Sequence, residues 1–574
     1  MSNFYTDNSD LQFAFRHIDW SEIISMKEHN YSEADQFSDA PSSFDEAMMN
    51  YESILELAGE VSGEYINPRS AAVDEQGCKL EKGVVHYAPE TDESLKDLTH
   101  AGLMGIPLPR KYGGLNCSTV IGNTVIEIVS RADAGLMTIF GLQEIAETIN
   151  MFANDEQKDA TLPRFARGDV TGAMVLTEPD AGSDLQAVQL RANENPDDDI
   201  FLLNGVKRFI SNGCGEILLV LARSEPKRKG AAGLSMFLCE KGPTVKIRRL
   251  ENKLGIKGSP TCEMQFMDTP AELVGKRRRG LTHYVMSLMN GARIAIAAQA
   301  TGIAEAAYRA AVDYSKTREQ FGKSIIKFTS VADMLVEMKT MVEASRALNM
   351  ETCYAIDIDK LLEEKLDKEG LEGDELKAVK TRRATYKRFA AMLTPMSKMY
   401  ATEICQKVTH DSIQVHGGSG YMKDYPVERY YRDARITNIY EGTTQLQVVA
   451  AIGGITSGTF MAYLKVLDGH MTDSVDQSLL KSVRDRVAKT EEVIAFFNEK
   501  EQEYRDLYAR DMVDLTIELV LSYLLLRQSI NNDRKKIVAN HFIIKTVLVM
   551  DMRMERIKSG ETATIDSFEE IVVE

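Results

Sequence analysis

Apolar residues recur at spacings of three and four over 43–57, 92–102, 120–131 and 142–152, which predicts amphipathic helices up to about residue 165. The run Pro107-Leu108-Pro109-Arg110-Lys111-Tyr112-Gly113-Gly114 interrupts them and predicts a loop. Between about Gly172 and Asp268 the period changes. Short apolar runs at 173–176, 201–203, 217–221, 236–238 and 264–266 are separated by turn residues, too close together for crossover helices. A small antiparallel barrel or sandwich is predicted there, with Asn204-Gly205 as the hairpin turn between 201–203 and 206–210. Helical spacing returns after about Gly280, over 281–316, 330–357 and 382–415. The charged stretch 360–380, with Gly370 and Gly373, reads as a helix-loop-helix insertion, and further helices at 513–527 and 539–557 follow a break at Gly453-Gly454.

At 574 residues the chain is too long for one core. The expected organisation is an α+β, mostly α protein. It comprises an N-terminal extension (1–40), an α-helical domain (41–170), a central β domain (171–280), a helical bundle (281–455) and an additional helical domain (456–574). Composition narrows the partners. A formal charge of −18 argues against nucleic acid, and the 456–574 segment, with 16 Lys+Arg against 21 Asp+Glu, is itself acidic. Seven scattered cysteines without a CxxC pair predict buried thiols rather than disulfides or a zinc site, and no metal-ligand cluster stands out among the nine histidines. The polar start Met1-Ser2-Asn3-Phe4-Tyr5-Thr6-Asp7 has no signal-peptide pattern, so a cytoplasmic enzyme is expected. The apolar and basic character of 539–557 leaves peripheral membrane contact as a second reading of the tail, behind enlargement of a subunit interface.

Four segments carry candidate chemistry. Met174-Val175-Leu176-Thr177-Glu178-Pro179-Asp180-Ala181-Gly182-Ser183-Asp184 is a strand entering a tight polar loop, whose small residues and hydroxyls suit a flat or anionic ligand or an ordinary turn. Arg318-Glu319-Gln320-Phe321-Gly322-Lys323 ends a long helix and reads as a phosphate clamp or a charged helix end with its glycine stop. His416-Gly417-Gly418-Ser419-Gly420 follows another helix and exposes backbone donors, but it lacks the strand and spacing of a Rossmann motif. In Ile439-Tyr440-Glu441-Gly442-Thr443 a carboxylate follows an apolar pair, which reads either as a desolvated carboxylate with a raised pKa suited to a general base or as an ordinary solvated surface charge.

These segments, with the Pro109–Gly114 loop and in this order, resemble the acyl-CoA dehydrogenase family over roughly 45–455. The resemblance implies an N-terminal helical domain, a central β-barrel, a C-terminal four-helix bundle, and FAD at the interfaces of a homodimer or homotetramer. Met174, Leu176, Thr177, Gly182 and Ser183 would border the flavin, with Phe209 and Ser211 along the isoalloxazine edge. Arg318, Phe321, Gln414, Gly417 and Gly418 would reach the FAD of a neighbouring subunit, and Thr443 and Gln445 its adenosine-pyrophosphate part. Ser183, Asn290, Arg293, Tyr440 and Gly442 would contact the acyl-CoA substrate. Glu441 matches the family's usual base. Members that move the base use a position equivalent to Ala292, which is no acid here. The implied reaction is α-proton abstraction by Glu441 with β-hydride transfer to flavin N5. The thioester oxygen is then held by the Glu441 N–H and a ribityl hydroxyl, and electrons pass to an electron-transferring flavoprotein, as in fatty-acid β-oxidation.

The chain departs from the family pattern at Phe209-Ile210-Ser211, where Trp-Ile-Thr is usual, and at Thr329, where a Gln is usual. The 360–380 insertion and the tail resemble the long members typified by 3-methylmercaptopropionyl-CoA dehydrogenase. An acyl-CoA oxidase is the rival reading, and a DNA-binding family member without turnover is disfavoured by the acidic tail. Gln143, Glu144, Glu147 and Asn150 lie where the family lines its acyl pocket; they read as a solvated helix face, with a short or functionalised acyl group as the alternative.

Overall fold

The computed structural model describes residues 2–573 apart from 197 and 199. Contacts divide the chain into two units that interleave in sequence. One comprises Met1–Gln12, Asp19–Thr317 and Val408–Thr437; the other comprises Phe13–Ile18, Arg318–Lys407 and Asn438–Glu574.

In the first unit, Ser43 opens helix α1 (Phe44–Glu60) by accepting a bond from the Glu46 N–H, and Ser118 opens α2 (Thr119–Ala132) in the same way from Ile121. Helix α2 is buried along nearly its whole length. It meets α3 (Met286–Thr317) backbone to backbone at Gly302, where a Cβ would stand 2.4 Å from the Glu127 carbonyl.

The β domain contains β1 (Gly172–Val175), β2 (Arg191–Glu194), β3 (Phe201–Ser211), β4 (Ile217–Arg223), β5 (Leu234–Glu240), β6 (Val245–Leu250) and β7 (Thr261–Leu273). Pairing runs β1-β4-β2-β3-β7-β5, and β5 pairs back onto β4, so the sheet closes into a barrel with β6 on β7. Leu203, Leu218, Val220, Phe237, Met264 and Phe266 fill it. Two expectations are corrected here. The barrel is not wholly antiparallel, because β1 runs parallel to β4 with Gly172 opposite Ile217; both strands are buried throughout, as a parallel pair requires. Asn204-Gly205 is not a hairpin turn either. It is a register shift inside the single strand β3, where Gly205 (φ +145°) lies against Leu190.

Helices α4 (Thr329–Lys368) and α5 (Gly373–His416) are very long; α4 and residues 373–407 of α5 belong to the second unit. The 360–380 segment is the helix-loop-helix expected there, with residues 369–372 joining the end of α4 to the start of α5. Helix α6 (Thr444–Thr456) runs straight through Gly453-Gly454, because Gly454 is needed for close approach: its Cβ would stand 2.9 Å from the Met392 side chain. The chain breaks instead at Gly458, with φ +88°. Helices α7 (Thr459–Gly469), α8 (Gln477–Asn498), α9 (Gln502–Gln528) and α10 (Asp533–Lys558) follow. They share one core with α4–α6, in which Leu348, Phe389, Leu393 and Met396 pack together with Phe460, Leu515, Leu519 and Phe542. No single described helix is long and apolar enough to cross a membrane.

Buried charge ties the chain's beginning to this core. The Lys535 ammonium lies 4.8 Å from the Phe13 ring centroid, and His17 stacks on Phe13. Nearby, Glu351 pairs with Arg527 and accepts a 2.7 Å bond from the Tyr463 hydroxyl. Burial, reinforced by Arg527 and Lys535 and opposed by Glu351, lowers the His17 pKa from its ordinary 6.5 to about 4. The unfolded chain therefore takes up a proton that the folded one refuses. This contribution to stability is complete above about pH 6.5 and is lost as pH falls towards 4. The stability difference between wild type and His17→Leu, followed by urea unfolding, should shrink through that window. A constant difference would mean that His17 is not held neutral.

Candidate functional site

In the first unit, β1 delivers the Thr177–Asp184 loop, and the loop is stapled to β3 by a buried charge. Lys207 is fully buried; its ammonium donates to the Leu176 carbonyl at 2.7 Å and pairs with Glu178 at 3.0 Å. Burial brings its pKa down to about 8, against the pull of Glu178. The Glu178 carboxylate also accepts from the Gln189 and Leu190 N–H groups, so it is a structural anchor. The next N–H along, that of Arg208, donates to the Thr177 carbonyl at 3.0 Å. Thr177 and Phe209 are thereby brought together. Met174 and Leu176 are buried, and the Leu176 carbonyl is engaged by Lys207. Gly182 and Ser183 are exposed, while Thr177 and Ser211 are half-buried.

Phe209 lies at a second irregularity of β3, between Lys207 and Ile210, with φ +60° and 53% of its surface exposed. A bulky side chain in the left-handed region is unfavourable, so the surrounding pairing must impose it. Beyond it, Asn212 is buried. Its amide donates to the Gly172 carbonyl at 3.0 Å, and it accepts from the Tyr87 hydroxyl, fixing the end of the strand.

The glycine segment ends α5. His416 is buried, stacked on Tyr314 with ring centroids 4.3 Å apart, and bonded through Nδ1 to the Ser412 carbonyl; burial lowers its pKa. Gly417 needs its glycine for φ +61°, and Gly420 needs it for contact with Ile413 and His416. Gly418 has open space over its Cα and, like Gln414, is exposed. On α3, Asn290 accepts a 3.1 Å bond from the buried Arg293. Gln143 is not part of a solvated face, contrary to expectation: it is buried and donates to the Val170 carbonyl at 3.4 Å. A Cβ on Gly291 would collide with the Glu144 carboxylate, so that side chain rests on α3.

In the second unit, Arg318 precedes a two-residue hairpin in which Glu319 pairs with Ser324 and Gln320 with Lys323. Phe321 (φ +53°) and Gly322 (φ +76°) form its turn, so Gly322 is a hairpin residue and not a helix stop. Arg318 is exposed, and Phe321 is 94% exposed.

The Tyr440–Gly442 turn is held from two helices. Lys398 of α5 is fully buried and donates to the Tyr440 carbonyl at 2.7 Å and to the Gly442 carbonyl. Gln447 of α6 donates to the Gly442 carbonyl at 2.8 Å and to that of Glu441 at 3.4 Å. Between these bonds Glu441 adopts φ +53° and is half-buried. Ile439 is 42% exposed. Thr443 caps α6 by accepting from the Leu446 N–H, Thr444 donates to Glu403 at 2.6 Å, and Gln445 is exposed. Reading the sequence by motif missed Lys207 and Lys398. The available signal for Lys398 was its isolation, as the sole charge between Arg388 and Glu403. Among the described residues no group of three or more His, Cys, Asp or Glu could hold a metal ion.

An Asn at the first turn position suits φ > 0 far better than Phe. Phe321→Asn should therefore raise the stability of the ligand-free protein by about 1 kcal/mol in urea unfolding. No gain would mean that Phe321 is not strained.

Comparison with known proteins follows this geometry. Sequence profiles for the acyl-CoA dehydrogenase N-terminal, middle and C-terminal domains match residues 50–169, 173–269 and 279–452, and a further acyl-CoA dehydrogenase C-terminal profile matches 456–545. An acyl-CoA dehydrogenase of Bacillus subtilis is 39% identical over 373 residues, covering 64% of this chain and 90% of that protein. The 3-methylmercaptopropionyl-CoA dehydrogenase of Ruegeria pomeroyi is 30% identical over 501 residues, covering 81% and 79%. A solved acyl-CoA dehydrogenase of Bacillus anthracis shares the fold, with a TM-score of 0.75 at 23% identity, covering 90% of this chain and 89% of that one. The chain belongs to the acyl-CoA dehydrogenase family.

Proposed function

We propose that the protein catalyses α,β-dehydrogenation of an acyl-CoA thioester to the 2-enoyl-CoA, with Glu441 as general base and FAD as cofactor. The observation that carries this reading is the Glu441 turn, where a carboxylate is held at φ +53° by bonds to the carbonyls on either side of it. Such strain persists only where the surroundings over-determine it, and it concentrates at reacting groups. The residues present suit a flat, phosphate-bearing cofactor. Phe209 offers an exposed aromatic face, Thr177, Ser183 and Ser211 offer hydroxyls, and Gly418 leaves open space for close approach to the backbone.

Glu441 takes the α-proton, and the electrons of that C–H bond form the new double bond. FAD bound beside Phe209, Thr177 and Ser211 would supply the acceptor for the β-hydrogen as hydride. The Glu441 backbone N–H is the protein's own donor to the thioester oxygen, where negative charge develops as the proton leaves. Base and oxyanion donor therefore belong to one residue, and fixing one fixes the other. Asn290 and Arg293 offer polar contacts to the acyl-CoA. Exposed Phe321 and Arg318 reach the cofactor of a second copy in a homo-oligomer, and the electrons leave to an electron-transferring flavoprotein.

Glu441→Gln should retain FAD but lose substrate-driven bleaching of the flavin by at least about 100-fold, the range for a positioned general base. Normal bleaching in that variant would remove Glu441 from the role. Anaerobic reduction followed by mixing with air separates a dehydrogenase from an oxidase: slow reoxidation is expected, and fast reoxidation would overturn transfer to a flavoprotein acceptor.

A further inference from the structure

The most fully buried charge near the Glu441 turn is not Glu441 but Lys398. Its ammonium is satisfied by the carbonyls of Tyr440 and Gly442, in a helix that otherwise carries no charge between Arg388 and Glu403. A buried ammonium has three N–H groups to satisfy, and any nearby acceptors would serve. This one selects the two carbonyls that bracket the reacting residue.

The first of these carbonyls has a particular meaning. The Tyr440 C=O and the Glu441 N–H are the two ends of one peptide group. A charged donor on the oxygen draws electron density through the amide and makes the N–H a stronger donor. The same ammonium adds positive charge behind the position where an oxyanion forms. The second carbonyl, that of Gly442, is shared with Gln447, so the far side of the turn is held twice while the Tyr440 side is held by Lys398. Glu403 anchors the flanks separately, accepting from Thr444 and Asn438.

We propose that Lys398 is a positioning residue that holds Glu441 at its positive φ and polarises the Tyr440–Glu441 peptide, so that the Glu441 N–H binds the thioester oxygen more strongly. This rests on the dehydrogenase reading above. It assigns to α5 a part in the chemistry that is carried through the backbone and not through contact with substrate.

Infrared difference spectroscopy of the FAD-loaded protein with a 2-enoyl-CoA carrying a 13C label at the thioester carbonyl reads the polarisation directly. In wild type the carbonyl stretch should fall to lower frequency on binding. Lys398→Met, close to isosteric but uncharged, should lose at least half of that shift. Its rate of flavin reduction should fall about 10- to 100-fold, less than the roughly 100- to 1,000-fold for outright loss of an oxyanion donor because the N–H remains, with KM changed less than about threefold. Gln447→Met, which loosens the turn without touching the Tyr440 carbonyl, should keep the shift. Lys398→Arg keeps the charge and should keep most of it, which decides the question if Lys398→Met does not retain FAD.

An unshifted carbonyl in wild type, a wild-type shift in Lys398→Met, or equal losses in Lys398→Met and Gln447→Met would each overturn the proposal. Glu441→Gln, run in parallel, retains the backbone N–H and should keep the shift while losing reduction. If it still reduces flavin, the base assignment fails, whatever Lys398 does.

Discussion

A fully buried ammonium group has to find acceptors, and in both units of this protein it finds them in the backbone of a turn that carries candidate chemistry. Lys207 takes the Leu176 carbonyl and the Glu178 carboxylate at the head of the Thr177–Asp184 loop. Lys398 takes the carbonyls of Tyr440 and Gly442 around Glu441. Leaving either charge unpaired would cost several kcal/mol, so the lysine and the turn constrain each other. A carbonyl bound in this way cannot rotate away. The segment is therefore fixed by the core behind it, and in the first loop by Glu178 as well.

The same logic explains where strain is tolerated. Phe209, Phe321 and Glu441 all have positive φ, at a cost of roughly 1–2 kcal/mol each. Each is held by a different device: a register shift against β7, a two-residue hairpin, and the bonds of Lys398 and Gln447. Glycine or asparagine would remove the strain at any of them. Positive φ also occurs at residues such as Tyr31, Lys82 and Ile256, so what sets Glu441 apart is the pair of side chains, Lys398 and Gln447, that hold its turn.

Much of the architecture was legible in the sequence because it follows from periodicity. The helices near 43–57 and 120–131, the barrel strands, and the return to helices after Gly280 all appear where the pattern places them. What failed was what depends on distant partners. Asn204-Gly205 has turn chemistry, but β7 pairs continuously alongside and turns it into a bulge. Gly453-Gly454 looks like a break, but Met392 requires a glycine inside a continuous helix. The 360–380 segment, by contrast, is helix-loop-helix as its two glycines suggest, joining two long helices. Of the candidate site, the motif residues were legible by family order.

Lys398 and Lys207 show the limit most clearly. A lysine reads as a solvated charge by default, and only its neighbours can reverse that. For Lys207 the reversal was available locally, since strict alternation from Phe201 and Leu203 places it on the inner face of β3. For Lys398 the helical period alone could not decide, because that stretch of α5 is buried almost all round: Met396, Ser397, Met399, Ala401 and Thr402 are buried with it. A charge in such a stretch implies acceptors that a helix's own hydrogen bonding cannot spare, so they must come from another segment. The Glu441 turn is that segment, and its unusual backbone is what frees two carbonyls to meet one ammonium.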